Sequence, residues 1–301
     1  MDGQTTFLAS PSTILKQAWA TYKERWKTLL GIMVLPIVFG ILVGLTSAFG
    51  FRSSYTLFTS ITLAIIFVVA IIISSWAQIS LISALKDPAE HTSIAQAYKR
   101  GWEKIFSYWW ISILLTLVLM GSYILALIPG IIFTVWFVFA PFALVVDDKR
   151  GMDAILHSKS LVRGRWWGVF GRLILIGLAT MLAYFVISFV LGFILGFFGT
   201  AGILIGIFSN AIINLVVMTY AITAASVLYQ SLKASAVTPA PVEKRGVFIG
   251  FAIFGAIIVP ILTLAAIALA AWFSQSESSQ TDYGYVPYET YEEIPYTEES
   301  Y

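Results

Sequence analysis

The sequence has no cysteine, only two histidines and very little charge. Each scarcity excludes something. Without thiols there is no disulfide framework, no thiolate nucleophile and no cysteine metal site. His91 and His157 stand far apart without carboxylates at ligand spacing, so they read as solvated or capping residues and no metal site is expected. Charged residues are 11% of the chain, against about 25% in an ordinary soluble domain. With 59% hydrophobic residues and a mean hydropathy of +0.87, a water-soluble domain is excluded. No secretory leader is expected either. Lys16, Lys23, Glu24, Arg25 and Lys27 fall within a long polar N-terminal stretch that has no short apolar core and cleavage site.

What is present is a series of long intervals without charge. A spanning helix needs about 20 apolar residues at about 1.5 Å each to cross about 30 Å of hydrocarbon. Residues 28–51 supply 24 and residues 53–85 supply 33, one span each. Residues 105–146 supply 42, enough for two spans joined by a turn, for which Leu127-Ile128-Pro129-Gly130 is the expected place. Residues 173–232 supply 60, two more spans broken near Phe197 to Gly202. Residues 246–276 hold another. The expectation is an all-α polytopic membrane protein with about seven transmembrane helices. Its parts are a six-span domain over 1–232, a cytoplasmic linker over 233–246, a seventh span over 247–273 and an acidic, tyrosine-rich disordered tail over 274–301. That tail carries seven of the sixteen acidic residues and no Lys or Arg.

Orientation follows from the basic residues. With the N-terminus inside, 17 of the 18 Lys and Arg fall on the inner side, and only Arg52 falls outside. A multi-pass plasma-membrane protein of prokaryotic type is expected, N-terminus cytoplasmic and C-terminus outside.

Three segments resemble one another: ILKQAWATYKERW from Ile14, IAQAYKRGWEKIF from Ile94 and ILHSKSLVRGRWW from Ile155. Each mixes basic and aromatic residues and leads into a pair of spans. The first places Leu15, Ala18, Trp19, Tyr22 and Trp26 on one helical face, with Lys16, Lys23 and Glu24 opposite. The expected unit is an interfacial amphipathic helix followed by a two-span hairpin, used three times. Thr92-Ser93 and Asp147-Asp148 stand where the second and third helices need N-caps. Trp19, Trp26, Lys23, Arg25, Trp102, Arg163, Arg165, Trp166 and Trp167 are the expected anchors to anionic head groups on the cytoplasmic side.

Pro129-Gly130-Ile131, then Phe137 to Val146 with Pro141, then Asp147, Gly151, Ala154, Ser160, Leu161 and Gly164 before an aromatic, form a pattern. It resembles the glycerophosphoryl diester phosphodiesterase membrane-domain family and related bacterial integral-membrane proteins, best over about 90–175. The soluble phosphodiesterase barrel that gives the family its name is absent from this chain. The resemblance therefore implies a membrane module without diesterase activity. The seventh span and the tail depart from the family's six-span pattern.

No strong site emerges. Asp147 and Asp148 read as caps at the end of a span rather than an acid/base pair, because Lys149 and Arg150 follow directly. Gln78, Asn210 and Asn214 are the candidate polar residues of the membrane core, with Ser74 and Ser75 beside the first. Polar side chains in hydrocarbon need partners, so they are expected to point inward, either bonding helix to helix or lining a solute path. No ionisable residue lies mid-span, which argues against ion-coupled transport. Pro36, Pro141 and Pro260 read as kinks, and Gly192 with Gly196 as one small-residue packing pair. The repeated Pro-Tyr of the tail (Pro287-Tyr288, Pro295-Tyr296) suits a protein partner. No catalytic residue, cofactor or nucleic-acid partner is expected. The reading is a non-enzymatic membrane module that binds partners or organises the bilayer, the alternative being a transporter of a small neutral or amphiphilic molecule. A cavity between the second and sixth spans lined by Gln78 and Asn210 would favour the alternative, and solid packing there the first.

Overall fold

A computed structural model describes residues 8–49, 57–86, 92–235 and 246–280. Arg52, His91, Lys244, Arg245 and the tail from residue 281 onward lie outside the described residues, so the expectations resting on them have no structural counterpart here. Every regular element among the described residues is helical: α1 (Pro11–Phe49), α2 (Leu57–Ala84), α3 (Ile94–Leu125), α4 (Leu127–Phe137), α5 (Ala140–Asp147), α6 (Met152–Val162), α7 (Trp166–Gly196), α8 (Gly199–Ala234) and α9 (Gly246–Gln280).

Six stretches among these residues are long and apolar enough to cross a membrane: Pro11–Leu42, Ala64–Ala84, Ile94–Leu125, Leu127–Asp147, Trp166–Ala234 and Phe248–Phe273. The fifth, 69 residues long, holds both α7 and α8. They part at Phe197-Phe198, before Gly199 with φ +54°, a left-handed backbone that glycine adopts without cost. The break expected at 197–202 is found there. Burial is inverted relative to a soluble protein. Helix α7 buries only Val169 and Ile176, and Phe185, Phe189 and Phe193 are 61%, 64% and 65% exposed. In water each such ring would forfeit about 1.5–3 kcal/mol, whereas in hydrocarbon it forfeits almost nothing. The chain is an all-helical, multi-pass membrane protein.

The contacts divide the chain into a large unit ending at Gly255 and a second unit beginning at Ala256 within α9. The second consists of the rest of α9, whose described side chains are mostly exposed and apolar, followed by residues outside the description. In the first unit α1 packs antiparallel to α8, α7 and α8 form a hairpin, and α3 packs against α2 and α4.

Several expectations change. One of the three interfacial segments is not a separate helix. The first is set off from the span of α1 by a non-helical kink at Arg25 (φ −118°, ψ 15°) and the third, α6, stands alone, but the second is the first part of α3. The buried face of the first segment is Ile14, Ala18, Tyr22, Arg25 and Leu29, and Trp19 and Trp26 are turned out. Arg25, expected at the head groups, is therefore buried, because the kink rotates it into the seam between helices. Ser93 caps α3 as expected: its side chain accepts from the Gln96 N–H, and Gln96 returns a bond to the Ser93 N–H. Asp147 and Asp148 do not cap α6. Asp148 ends α5 in a left-handed conformation (φ 55°), and α6 begins after Gly151 with no side-chain cap.

The expected turn at 127–130 lies one residue earlier, at the extended Ala126. Pro129 and Gly130 belong to the first turn of α4, where proline's missing N–H costs nothing. Pro141 opens α5 just after the Val138-Phe139 break, so the interruption expected of it lies inside the Leu127–Asp147 span. Gly192 and Gly196 have nothing within 4 Å of an added Cβ, so they are not a packing pair within this chain. At the end of the first unit, Phe251 lies over Gly121 and Gly255 over Leu117.

The α4–α5 break carries its own repair. Ser158 of α6 is fully buried; its Oγ accepts from the Phe139 N–H at 3.1 Å and donates to the Trp136 carbonyl at 2.7 Å. Replacing Ser158 by Ala leaves both backbone groups unpartnered in an apolar core. The expected cost is about 1–3 kcal/mol, visible as a lowered melting temperature in detergent; an unchanged melting curve would show that the break needs no bridge.

Candidate functional site

Three helices present small or polar residues to one space. On α1, Met33, Pro36, Ile37 and Gly40 recur at three- and four-residue spacing and so share a face. Ser74 and Gln78 do so on α2, and Gly206, Asn210, Asn214 and Met218 on α8. Between them lies a cavity of about 770 Å³. Among the described residues no Asp, Glu, Lys or Arg lines it. Its walls are aliphatic, and its polar groups are one hydroxyl and three carboxamides. The two glycines enlarge it: a Cβ at Gly40 would meet nothing within 4 Å, and one at Gly206 only Leu195 at 3.9 Å.

Pro36 shapes the α1 wall. It has no N–H to offer the Ile32 carbonyl one turn back. The Tyr98 hydroxyl of α3 donates to that carbonyl instead, at 2.5 Å. The carboxamides are only partly engaged. Gln78 Oε1 accepts from the Tyr108 hydroxyl, and Asn210 Oδ1 accepts from the Tyr184 hydroxyl at 3.2 Å. Asn214 and Ser74 have no hydrogen-bond partner among the described residues, and both side chains are exposed. The three candidate polar residues of the sequence thus converge, but on a space rather than on each other. Toward the C-terminal end of α8, outside the cavity lining, an aromatic cluster joins it to α1: Trp19 stacks on Tyr22 at 5.9 Å, both meet Tyr220, and the Tyr220 hydroxyl reaches the Leu15 carbonyl. Further along, Gln230 Nε2 donates to the Leu85 carbonyl and ties α8 to the end of α2.

The second polar assembly surrounds the two aspartates. Asp147 accepts from the Tyr229 hydroxyl and the Lys233 ammonium of α8, and His157 Nε2 lies 3.2 Å from its Oδ2 without hydrogen-bond alignment. Asp148 pairs with Lys104 of α3 and, at 3.5 Å, with Lys86 after α2. Every acidic oxygen here faces a cation or hydroxyl. The arrangement is a joint between helices rather than an acid/base pair. Among the described residues no group of three or more His, Asp and Glu comes close enough to hold a metal ion.

The expected anchors disperse. Trp19, Trp26, Trp102 and Trp167 are 53%, 48%, 53% and 77% exposed, and Lys23 and Arg163 also face outward. Arg165 turns inward to Ser235 and the Leu161 carbonyl, and Trp166 donates to the Ile132 carbonyl. Sequence reasoning missed Tyr98, Tyr108, Tyr184 and Tyr229, hydroxyls inside apolar runs that serve as partners. It also missed Arg172, which donates to the Leu8 and Ala9 carbonyls and holds the start of the described chain. No protein-family model matches the chain, and neither a curated protein nor a solved structure does.

The joint titrates. Burial pushes the His157 imidazole below its ordinary 6.5, outweighing the attraction of Asp147. The Lys104 hydrogen bond holds Asp148 below its ordinary 3.8. A histidine whose folded pKa is lowered is protonated more readily in the unfolded chain, so its contribution is complete above pH 6.5 and declines below it. The aspartate's contribution is present above 3.8 and declines as the pH falls further. The melting temperature in detergent is expected to fall in two steps on acidification, and His157→Gln should remove the upper step alone. A single step near pH 4 in both proteins would contradict this.

Proposed function

We propose that the chain is a non-enzymatic membrane protein whose cavity binds a small neutral or amphiphilic molecule and forms part of its path through the bilayer. The observation that carries the proposal is the convergence of Ser74, Gln78, Asn210 and Asn214 on an uncharged space with unspent donors. Hydrogen bonding between the helices themselves, across a solid bundle, would have supported a membrane-organising module. Asn214 makes no such bond. A mostly apolar pocket of about 300–1,000 Å³ with a few polar groups is the usual form of a small-molecule site. The absence of charge in the lining favours an uncharged head group, since an ion there would lose its hydration without a counter-charge.

The test uses purified protein and three fluorescent single-chain amphiphiles with neutral, anionic and cationic heads. The neutral probe should bind best. Gly40→Leu with Gly206→Leu fills the space from two positions where an added Cβ meets nothing closer than 3.9 Å, and removes two helix-interior glycines, each a liability of about 0.5–1 kcal/mol. The melting temperature should hold or rise while binding is lost. Asn210→Leu with Asn214→Leu should weaken binding at least tenfold with a melting point near that of the parent. Lost stability with binding intact would return the asparagines to a packing role, where each bond carries about 0.6–2 kcal/mol.

The plasma-membrane setting, seven spans, three helix-plus-hairpin units and an inside N-terminus belong to the same proposal, supported by the distribution of the 18 basic residues. Reporter fusions after residues 5 and 301 should report opposite sides. Both reporting the same side would contradict the count of seven spans.

A further inference from the structure

A second concavity, of about 550 Å³, lies where α6 hands over to α7. One wall is a face of α4, with Ile128, Ile131 and Ile132 at positions i, i+3 and i+4. The other is aromatic. Trp166 stacks on Phe170 (4.8 Å, 17°) and meets Trp167 edge-on (4.7 Å, 89°). The Trp166 indole N–H donates to the Ile132 carbonyl at 3.3 Å, which fixes one wall to the other. The concavity is therefore braced within the fold.

Among the described residues the charged one in its lining is Arg163, exposed at the rim beside Gly164, where a Cβ would meet nothing within 4 Å. Lys159, one turn earlier on α6, holds its ammonium 4.4 Å from the centre of the Trp136 ring, which is itself part of the lining. Arg165 is committed to Ser235 and Leu161. The acidic residue of α6, Asp153, lies ten positions before Arg163, at the far end of that helix. One end of the concavity is thus cationic and the rest aliphatic and aromatic. That polarity is the inverse of an anionic amphiphile.

We propose that this groove holds one acyl chain of an anionic phospholipid, with its phosphate against Arg163. A single hydrocarbon chain fits, with the second chain left in the bilayer. The guanidinium suits a phosphate because its planar fork donates two parallel hydrogen bonds. Tryptophan rings around a chain just below a charged head group match the chemistry of the membrane interface. This site shares no residue with the uncharged cavity and does not depend on its reading.

The test is quenching of tryptophan fluorescence by phospholipids brominated on the acyl chain, added to the full-length protein in detergent micelles. Brominated phosphatidylglycerol should quench a saturable fraction at a mole fraction several-fold lower than brominated phosphatidylcholine. Arg163→Gln should abolish that preference and leave the phosphatidylcholine curve unchanged, whereas Lys23→Gln, at another exposed basic position, should keep it. Ile131→Trp, which fills the groove from the α4 side, should remove the saturable component for both lipids. Melting curves of each variant confirm that it is folded. Equal quenching by the two lipids in the parent protein overturns the proposal, and so does a preference that survives in Arg163→Gln.

Discussion

A polar group inside hydrocarbon has no water to turn to, and in this protein the placement of every helix break follows from that. Where proline at 36 removes an N–H from the α1 ladder, the released Ile32 carbonyl is met by Tyr98 from α3. Where α4 and α5 part, Ser158 from α6 serves both exposed ends. The span hydroxyls follow the same rule with local means. Ser75, Ser80, Thr180, Thr219 and Thr223 each donate to the carbonyl one turn back. These two breaks and five hydroxyls are satisfied from within, whereas the buried Ser188 hydroxyl and Trp109 indole N–H find no partner among the described residues, so the contacts between α1, α3, α4 and α6 are in part consequences of backbone accounting as well as of shape.

The cavity departs from that rule where polar side chains face open space. Asn214 and Ser74 line it without partners among the described residues, as the buried Trp109 Nε1 and Ser188 Oγ do elsewhere. An unbonded carboxamide in an apolar setting costs about 1–3 kcal/mol on the scale of protein mutations. That cost is recovered only when something else enters with complementary donors or acceptors. Gly40 and Gly206 contribute through the lack of a side chain, keeping open a volume that almost any other residue would reduce.

The class of protein and most of its helices were legible in the sequence, because charge-free length is a direct physical requirement of a span. The break at 197–202 was legible because consecutive small and aromatic residues interrupt an apolar run of 60 residues. The capping box at Ser93 was legible because its chemistry is local. What escaped was whatever depends on the neighbouring helix. The faces of the first amphipathic segment were read by hydrophobicity, yet the burial of Arg25 and the exposure of Trp19 and Trp26 are set by packing against α8 and by the kink. Asp147 and Asp148 were placed as caps from their position before α6, but their partners come from α2, α3 and α8. Gln78, Asn210 and Asn214 were singled out correctly as polar groups in an apolar background. Nothing in one dimension told whether they would meet each other or a void.

The two aspartates at the end of α5 also live on different clocks. Asp148 finds Lys86 and Lys104, both made before it. Asp147 finds Tyr229 and Lys233, which lie 82 and 86 residues further along the chain. At about 5–20 residues per second of synthesis, those partners emerge about 4–16 s later. Of its charged neighbours among the described residues only His157, ten residues on, is made soon after Asp147, so the joint between α5 and α8 is complete only once the last helix of the hairpin has been synthesised.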